Sequence, residues 1–311
     1  MEFLYLIAGL VILLTSGEFL IRGAVSLSAH FKISKLVVGV VIVSLGTSAP
    51  ELVVSIDAAV QGHPDISIGN VIGSNISNIA LVLGITAAIM PIQVHRRSFR
   101  GDWSMMMFSS ILLYIFILNL WLEWWEGLIF LILLSIFIFR SIQGSRKENL
   151  KNKHLLVKPN FNLWISLLLV FISSLGLIYG ADFLIKGAVQ IAEKLGVSER
   201  AISVSLVAFG TSVPELATSV MAAIKKETDL FIGNIVGSNI FNILAILGIT
   251  SIIEHIQINP MIAGWDIFWM LGVSLLLFLF LLPLRRALLN RWNGLTFLVF
   301  YVAYIYWALL S

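Results

Sequence analysis

Residues 44–78 and 208–242 are identical at 18 of 35 positions at a constant offset of 164. Gly46-Thr47-Ser48-Ala49-Pro50-Glu51-Leu52 returns as Gly210-Thr211-Ser212-Val213-Pro214-Glu215-Leu216, and Gly69-Asn70 through Asn78 returns as Gly233-Asn234 through Asn242. Upstream, Phe19-Leu20-Ile21 matches Phe183-Leu184-Ile185. Downstream, Trp125-Glu126-Gly127-Leu128 resembles Trp292-Asn293-Gly294-Leu295, now 167 apart. The chain therefore reads as two related halves, and the medium in which they fold decides what the duplication means.

That medium is lipid. Hydrophobic residues make up 59% of the chain and charged residues 12%, about half the charge of an ordinary soluble domain. Apolar stretches long enough to cross a bilayer recur near 3–29, 35–60, 66–90, 102–119, 123–140, 162–192, 199–224, 230–253, 262–283 and 293–310. Only Met1 and Glu2 precede the first, so it reads as a membrane helix rather than a cleaved signal peptide. The expected fold is an all-α membrane protein of ten transmembrane helices. Residues 1–140 form the first five-span repeat, 141–160 a basic linker and 161–311 the second repeat, in a single membrane domain. Five is odd, so the second copy enters the bilayer from the opposite face. This is the inverted-repeat plan of many secondary transporters, with sites near the midplane.

With the N-terminus outside, sixteen Lys and Arg fall in inner loops, while only Lys194 and Arg200 fall in outer ones. Basic residues favour the cytoplasmic side, so both termini are expected to be extracytoplasmic. The basic run from Arg140 to Lys158 lies between two spans. It reads as a topology determinant touching anionic lipid rather than as a nucleic-acid site. There are no cysteines, which excludes disulfides and thiolate metal sites. Trp103, Trp121, Trp124, Trp125, Trp265, Trp292 and Trp307 read as interfacial belts with no cofactor implied.

The chemistry concentrates where the halves repeat. Proline removes a backbone donor and frees carbonyls of the preceding turn, and Gly46 and Gly210 ease the break. Backbone released at membrane depth needs another partner, which a cation can supply. Thr47, Glu51 and Ser55 share a helix face, as do Thr211, Glu215 and Ser219. Asn70, Ser74 and Asn78 form a polar stripe on the following span, mirrored by Asn234, Ser238 and Asn242. Gly69 and Gly73, with Gly233 and Gly237, have the small-residue spacing that lets helices approach closely. That approach is expected to press each stripe against the broken helix of its own half.

All candidate donors are oxygens, and all five histidines fall at span ends or in loops. That combination selects hard cations; calcium takes about 6–8 oxygens. Other readings remain open. Each glutamate beside its proline could be a protonated, hydrogen-bonded acid at a kink, although intramembrane acids usually mark ion pathways. Asn70, Asn75, Asn234 and Asn239 could be interhelical glue. Glu18 with Arg22, and Asp182 with Lys186, fit ion pairs one helical turn apart. Asp57 has no acidic counterpart and no assigned role. A cation channel is the alternative of another class. A serine hydrolase would need a histidine at depth.

Gly-Thr-Ser-x-Pro-Glu-Leu followed by Gly-Asn-x-x-Gly-Ser-Asn-x-x-Asn, in both halves, resembles the alpha-repeats of the calcium/cation antiporter superfamily, nearest to its prokaryotic sodium/calcium exchangers. The resemblance implies antiport of calcium for sodium by alternating access, with a proton- or potassium-coupled calcium antiporter as the alternative. It also implies two inverted five-helix repeats around broken helices two and seven, with helices one and six as a long tilted pair that slides. Glu51 and Glu215 would coordinate calcium with the Thr47 and Thr211 carbonyls. Sodium sites would draw on Thr47, Ser48, Thr211, Ser212, Ser74, Ser238, Asn78 and Asn242, with backbone oxygens of Ser44 and Ala208. Some members carry an aspartate at one of the positions held here by Asn78 and Asn242. The linker leaves no room for the large regulatory domains of animal exchangers. The expected partners are calcium and sodium ions and membrane lipid, with no nucleic acid, no cofactor and a monomeric assembly in a prokaryotic cell membrane.

Overall fold

The computed structural model describes residues 2–94, 96–151, 158–194, 210–282 and 287–310. The helices among them are α1 (Glu2–Phe31), α2 (Lys35–Thr47), α3 (Ala49–Val60), α4 (Pro64–Ile89), α5 (Arg96–Phe116), α6 (Trp124–Lys151), α7 (Leu163–Lys194), α8 (Val213–Ile224), α9 (Thr228–Ile253), α10 (Ile262–Leu281) and α11 (Arg291–Leu310). By length and composition, seven described helices can cross a membrane, or eight if the bent α2–α3 pair is one span. The protein is mostly helical. Short strands β1 (Ile92–Val94), β2 (Trp121–Leu122), β3 (Ile256–Gln257) and β4 (Ala287–Leu289) pair antiparallel as β1–β4 and β2–β3.

Burial sorts the helices into centre and shell. Over their apolar windows α9 is 94% buried and α4 78%, against 22–33% for α1, α5, α6, α7 and α10. Leu4, Ile7, Trp164, Phe171, Val299 and similar side chains are exposed. In lipid, outward apolar side chains cost nothing, so burial inside the protein follows packing rather than hydrophobicity. The most enclosed helices are the ones that carry the Gly-Asn-x-x-Gly-Ser-Asn motif.

Small residues set the close crossings. Gly9 abuts Gly180 and Leu184, Gly176 abuts Ser16, Gly187 abuts Glu2 and Leu6, and Gly23 abuts Ser166 and Val170. One partner number falls as the other rises, so α1 and α7 run antiparallel along their length. A second crossing brings Gly233 and Gly237 of α9 onto Leu36, Gly39, Val40 and Ser44 of α2. Here the structure corrects the sequence expectation. Gly233 and Gly237 press α9 against the broken helix of the other half, while Gly73 meets nothing within 4 Å and Gly69 only Ile262. A small-residue motif permits close approach without naming the partner.

Trp103 is half-buried. Its indole N–H donates to the Ser274 carbonyl at 2.8 Å, and its ring stacks on Phe278. It is packing between α5 and α10. Trp121, Trp124, Trp125, Trp265, Trp292 and Trp307 are exposed, as a belt requires. Both in-helix ion pairs form, Glu18 with Arg22 and Asp182 with Lys186, and Glu18 also receives Lys225 at 2.7 Å.

Candidate cation-binding site

The α2–α3 span bends by 47° at Ser48, the residue between the two helices, with φ −85° and ψ 8°. Pro50 follows within the first turn of α3, where its missing N–H costs nothing. Ser212 precedes α8 with φ −86° and ψ −1°, and Pro214 takes the matching place. Glu51 and Glu215 consequently stand in the first turn of α3 and α8. A helix N-terminus favours negative charge there.

Three π-helical segments frame these breaks: Gly39–Val43 before Ser44, Ser77–Leu83 through Asn78, and Asn242–Leu247. Such wide turns cluster at functional positions because they redirect side chains without ending the helix. The Ser44 hydroxyl donates across one of them to the Gly39 carbonyl at 2.9 Å, and lies 3.1 Å from the Asn234 carbonyl.

Both glutamates are 1% exposed. The Ser48 hydroxyl donates to Glu215 Oε1 at 3.4 Å, so the break of the first half faces the acid of the second. Thr47 Oγ1 lies 3.3 Å from Asn234 Oδ1. Asn70 Nδ2 donates to the Glu51 carbonyl at 3.2 Å and to Ser55 Oγ at 3.0 Å. Asn70 and Asn234 thus both hold the broken α2–α3 span.

What remains unsatisfied is more informative. Glu51 Oε2, Glu215 Oε2, Asn78 Oδ1, Asn242 Oδ1, Ser212 Oγ and Ser238 Oγ are buried without a hydrogen-bond partner. Buried polar atoms are nearly always paired. Carboxylate oxygens and amide carbonyls are pure acceptors, and two carboxylates with neutral oxygens are the kind of donor set a hard cation takes. No cluster of three or more His, Cys, Asp and Glu exists among the described residues. The acids here number two, and neutral oxygens make up the rest.

Of the other expected residues, Ser44, Thr47, Ser48 and Ser74 are buried and Thr211 is partly buried. Ala208 lies outside the described residues. Sequence reasoning passed over Met106 and Met270. Their sulfurs accept from Asn239 and Asn75, each at 3.5 Å. The signal was present, since the two methionines are 164 apart.

The family model "Sodium/calcium exchanger protein" matches residues 1–143 and 165–310. The chain belongs to that family. It is a family of transporters, so the chain is an antiporter and not an enzyme. "Putative antiporter CaxA" of Alkalimonas amylolytica is 35% identical, with 97% of each chain covered. "Sodium/calcium exchanger MaX1" of Methanosarcina acetivorans is 28% identical, covering 98% of this chain and 97% of its own. The solved structure of the sodium-calcium exchanger NCX_Mj, soaked with zero Na+ and Ca2+, superimposes with a TM-score of 0.82 at 32% identity, covering 98% of this chain and 97% of that one.

Proposed function

We propose that this sodium/calcium exchanger binds one calcium ion between Glu51 and Glu215, and that sodium ions compete for the same pocket. The observation that carries the reading is the set of buried oxygens left without partners, one on each of Glu51 and Glu215, with Ser48 of the first half reaching Glu215 of the second. Thr47, Ser48, Thr211, Ser212, Ser74, Ser238, Asn78, Asn242 and the Ser44 and Ala208 carbonyls supply the remaining oxygens. Coupling follows from competition: calcium and a full sodium load need the same carboxylates, so one leaves before the other binds. The empty pocket, with two carboxylates facing each other, resists crossing.

The scaffold we infer has ten spans: the seven long helices, the α2–α3 pair, α8 and α11. They form two inverted repeats, 1–140 and 161–311, in one membrane domain with the 141–160 linker on the cytoplasmic side. The strand pairs support this plan. β1 maps onto β3 at offset 164 and β2 onto β4 at offset 167, and each ribbon joins one strand from each half. The α1–α7 antiparallel pair fits the same symmetry. The contacts between loops fit the positive-inside orientation. Lys35 with Glu227, Lys194 with Glu2, Asp65 with the Asn259 amide, and both ribbons each join two loops that basic residues assign to one side. Both termini then face outward from a prokaryotic cell membrane, with the chain acting as a monomer that contacts lipid and no nucleic acid.

Calcium-45 uptake into proteoliposomes under imposed sodium, potassium or proton gradients tests this reading. Uptake driven by outward sodium is expected; uptake that responds only to potassium or protons reassigns the counter-ion. Metal binds deprotonated ligands, so uptake falls as pH drops and protons occupy the carboxylates. Rates that stay flat between about pH 5 and 8 contradict direct coordination by both acids.

A further inference from the structure

Beneath the orphaned acceptors, between the centres of α4 and α9, lies a connected set of amides whose direction is fixed at its far end. Asn75 Nδ2 donates to the Asn239 backbone carbonyl at 3.3 Å and points at Met270 Sδ at 3.5 Å. Asn239 Nδ2 points at Met106 Sδ at 3.5 Å. A carbonyl oxygen and a thioether sulfur can only accept. Each amide therefore turns its nitrogen toward these anchors and its oxygen the other way. Asn75 Oδ1 then accepts Asn242 Nδ2 at 3.0 Å, and Asn239 Oδ1 accepts Asn78 Nδ2 at 3.1 Å. The consequence reaches the pocket: Asn78 and Asn242 turn their nitrogens to this relay, and their oxygens are the buried atoms left unpartnered.

We propose that Asn75 and Asn239 are positioning residues that fix which end of the Asn78 and Asn242 amides faces the transported cations. An amide presents a cation with either an attractive oxygen or a repulsive N–H2, and rotation by half a turn exchanges them. Relays anchored on acceptor-only atoms remove that choice. They cross between the halves, Asn75 setting Asn242 and Asn239 setting Asn78, so each half orients a ligand of the other. The arrangement also matches this chain's neutral amide at position 242. A carboxylate there would face Asn75 Oδ1, and turning Asn75 to meet it would pull Nδ2 away from the Asn239 carbonyl. This inference rests on the proposed function, and it concerns how strongly sodium binds rather than whether exchange occurs.

The test reads the half-saturating sodium concentration for calcium-45 release from proteoliposomes, with thermal melting of each purified variant alongside. Asn75→Leu removes the acceptor that holds Asn242, and half-saturating sodium is expected to rise about tenfold, the worth of one net hydrogen bond to a ligand. Adding Asn242→Asp should restore it to within about threefold of the Asn242→Asp single variant, because a carboxylate offers oxygen in either orientation. A merely structural role for Asn75 would not be rescued in this way. Met106→Leu conserves volume and so keeps the fold; it frees Asn239 and is expected to raise half-saturating sodium about threefold, again reversed by Asn78→Asp. Unchanged sodium dependence in Met106→Leu, or no rescue of Asn75→Leu by Asn242→Asp, overturns the proposal. Wild-type protein in the same liposomes separates the two levels: absence of sodium-driven flux there sinks the functional reading, whereas normal flux with unresponsive variants sinks only the relay.

Discussion

The two halves carry the same motif residues yet use them differently. In the first half Asn70 ties the Glu51 carbonyl to Ser55, and the Ser55 hydroxyl in turn lies 3.5 Å from the Ser67 carbonyl. In the second half Asn234 Oδ1 faces Thr47 of the other half instead, while its Nδ2 and the Ser219 hydroxyl are buried without partners. The first break is held from both halves, by Asn70 of its own and Asn234 of the other, whereas the described contact to the second half's acid comes from Ser48 across the halves. Sequence duplication transmitted the residue types but not the hydrogen bonds. The glycine crossing of α9 on α2 explains part of the difference, since it brings Asn234 against the Thr47 turn. A site made from unequal halves can bind unlike ions in one pocket.

The largest effects should be symmetric. Glu51→Gln and Glu215→Gln each remove one of two buried charges that a divalent ion requires, and truncating one partner of a buried charged set costs about 3–5 kcal/mol. Sodium-driven calcium uptake is expected to fall by more than about a hundredfold in both. Near-normal uptake in either would show that one acid alone suffices and that the halves are unequal in kind.

A smaller pair of variants sharpens the contrast. Asn70→Leu strips a carbonyl and a hydroxyl of their donor, so it should lower stability by about 1–3 kcal/mol. Asn234→Leu loses one long contact and should cost about 1 kcal/mol or less, while weakening calcium uptake through Thr47. Thermal melting of both proteins in detergent measures the difference. Equal losses of stability would erase the distinction drawn here. The smallest effect is expected from serines. Ser55→Ala should destabilise by about 1 kcal/mol and Ser219→Ala should be neutral or slightly stabilising, again by melting; the reverse order would contradict the assigned partners.

Much of this was legible beforehand. Paired Gly and Pro placed the break at Ser48 before Pro50, and Ser212 stands in the matching place before α8. The burial of Glu51 and Glu215 followed from an acid in an apolar span. Three features were not legible, each for a physical reason. The π segments through Asn78 and Asn242 have no residue signature, because one inserted residue is accommodated by backbone bonding alone. The partner of Gly233 and Gly237 is set by how the halves dock, which local spacing does not encode. The β ribbons were hidden too, since strands of two and three residues fall below any periodicity.

The account depends on one divalent ion held jointly by both halves. Calorimetric titration of calcium into the purified protein, in sodium-free detergent solution, measures this directly. One calcium per chain is predicted for the wild type, with binding lost in Glu51→Gln and equally in Glu215→Gln. Two calcium ions per chain, or undiminished binding in either variant, would contradict a shared site.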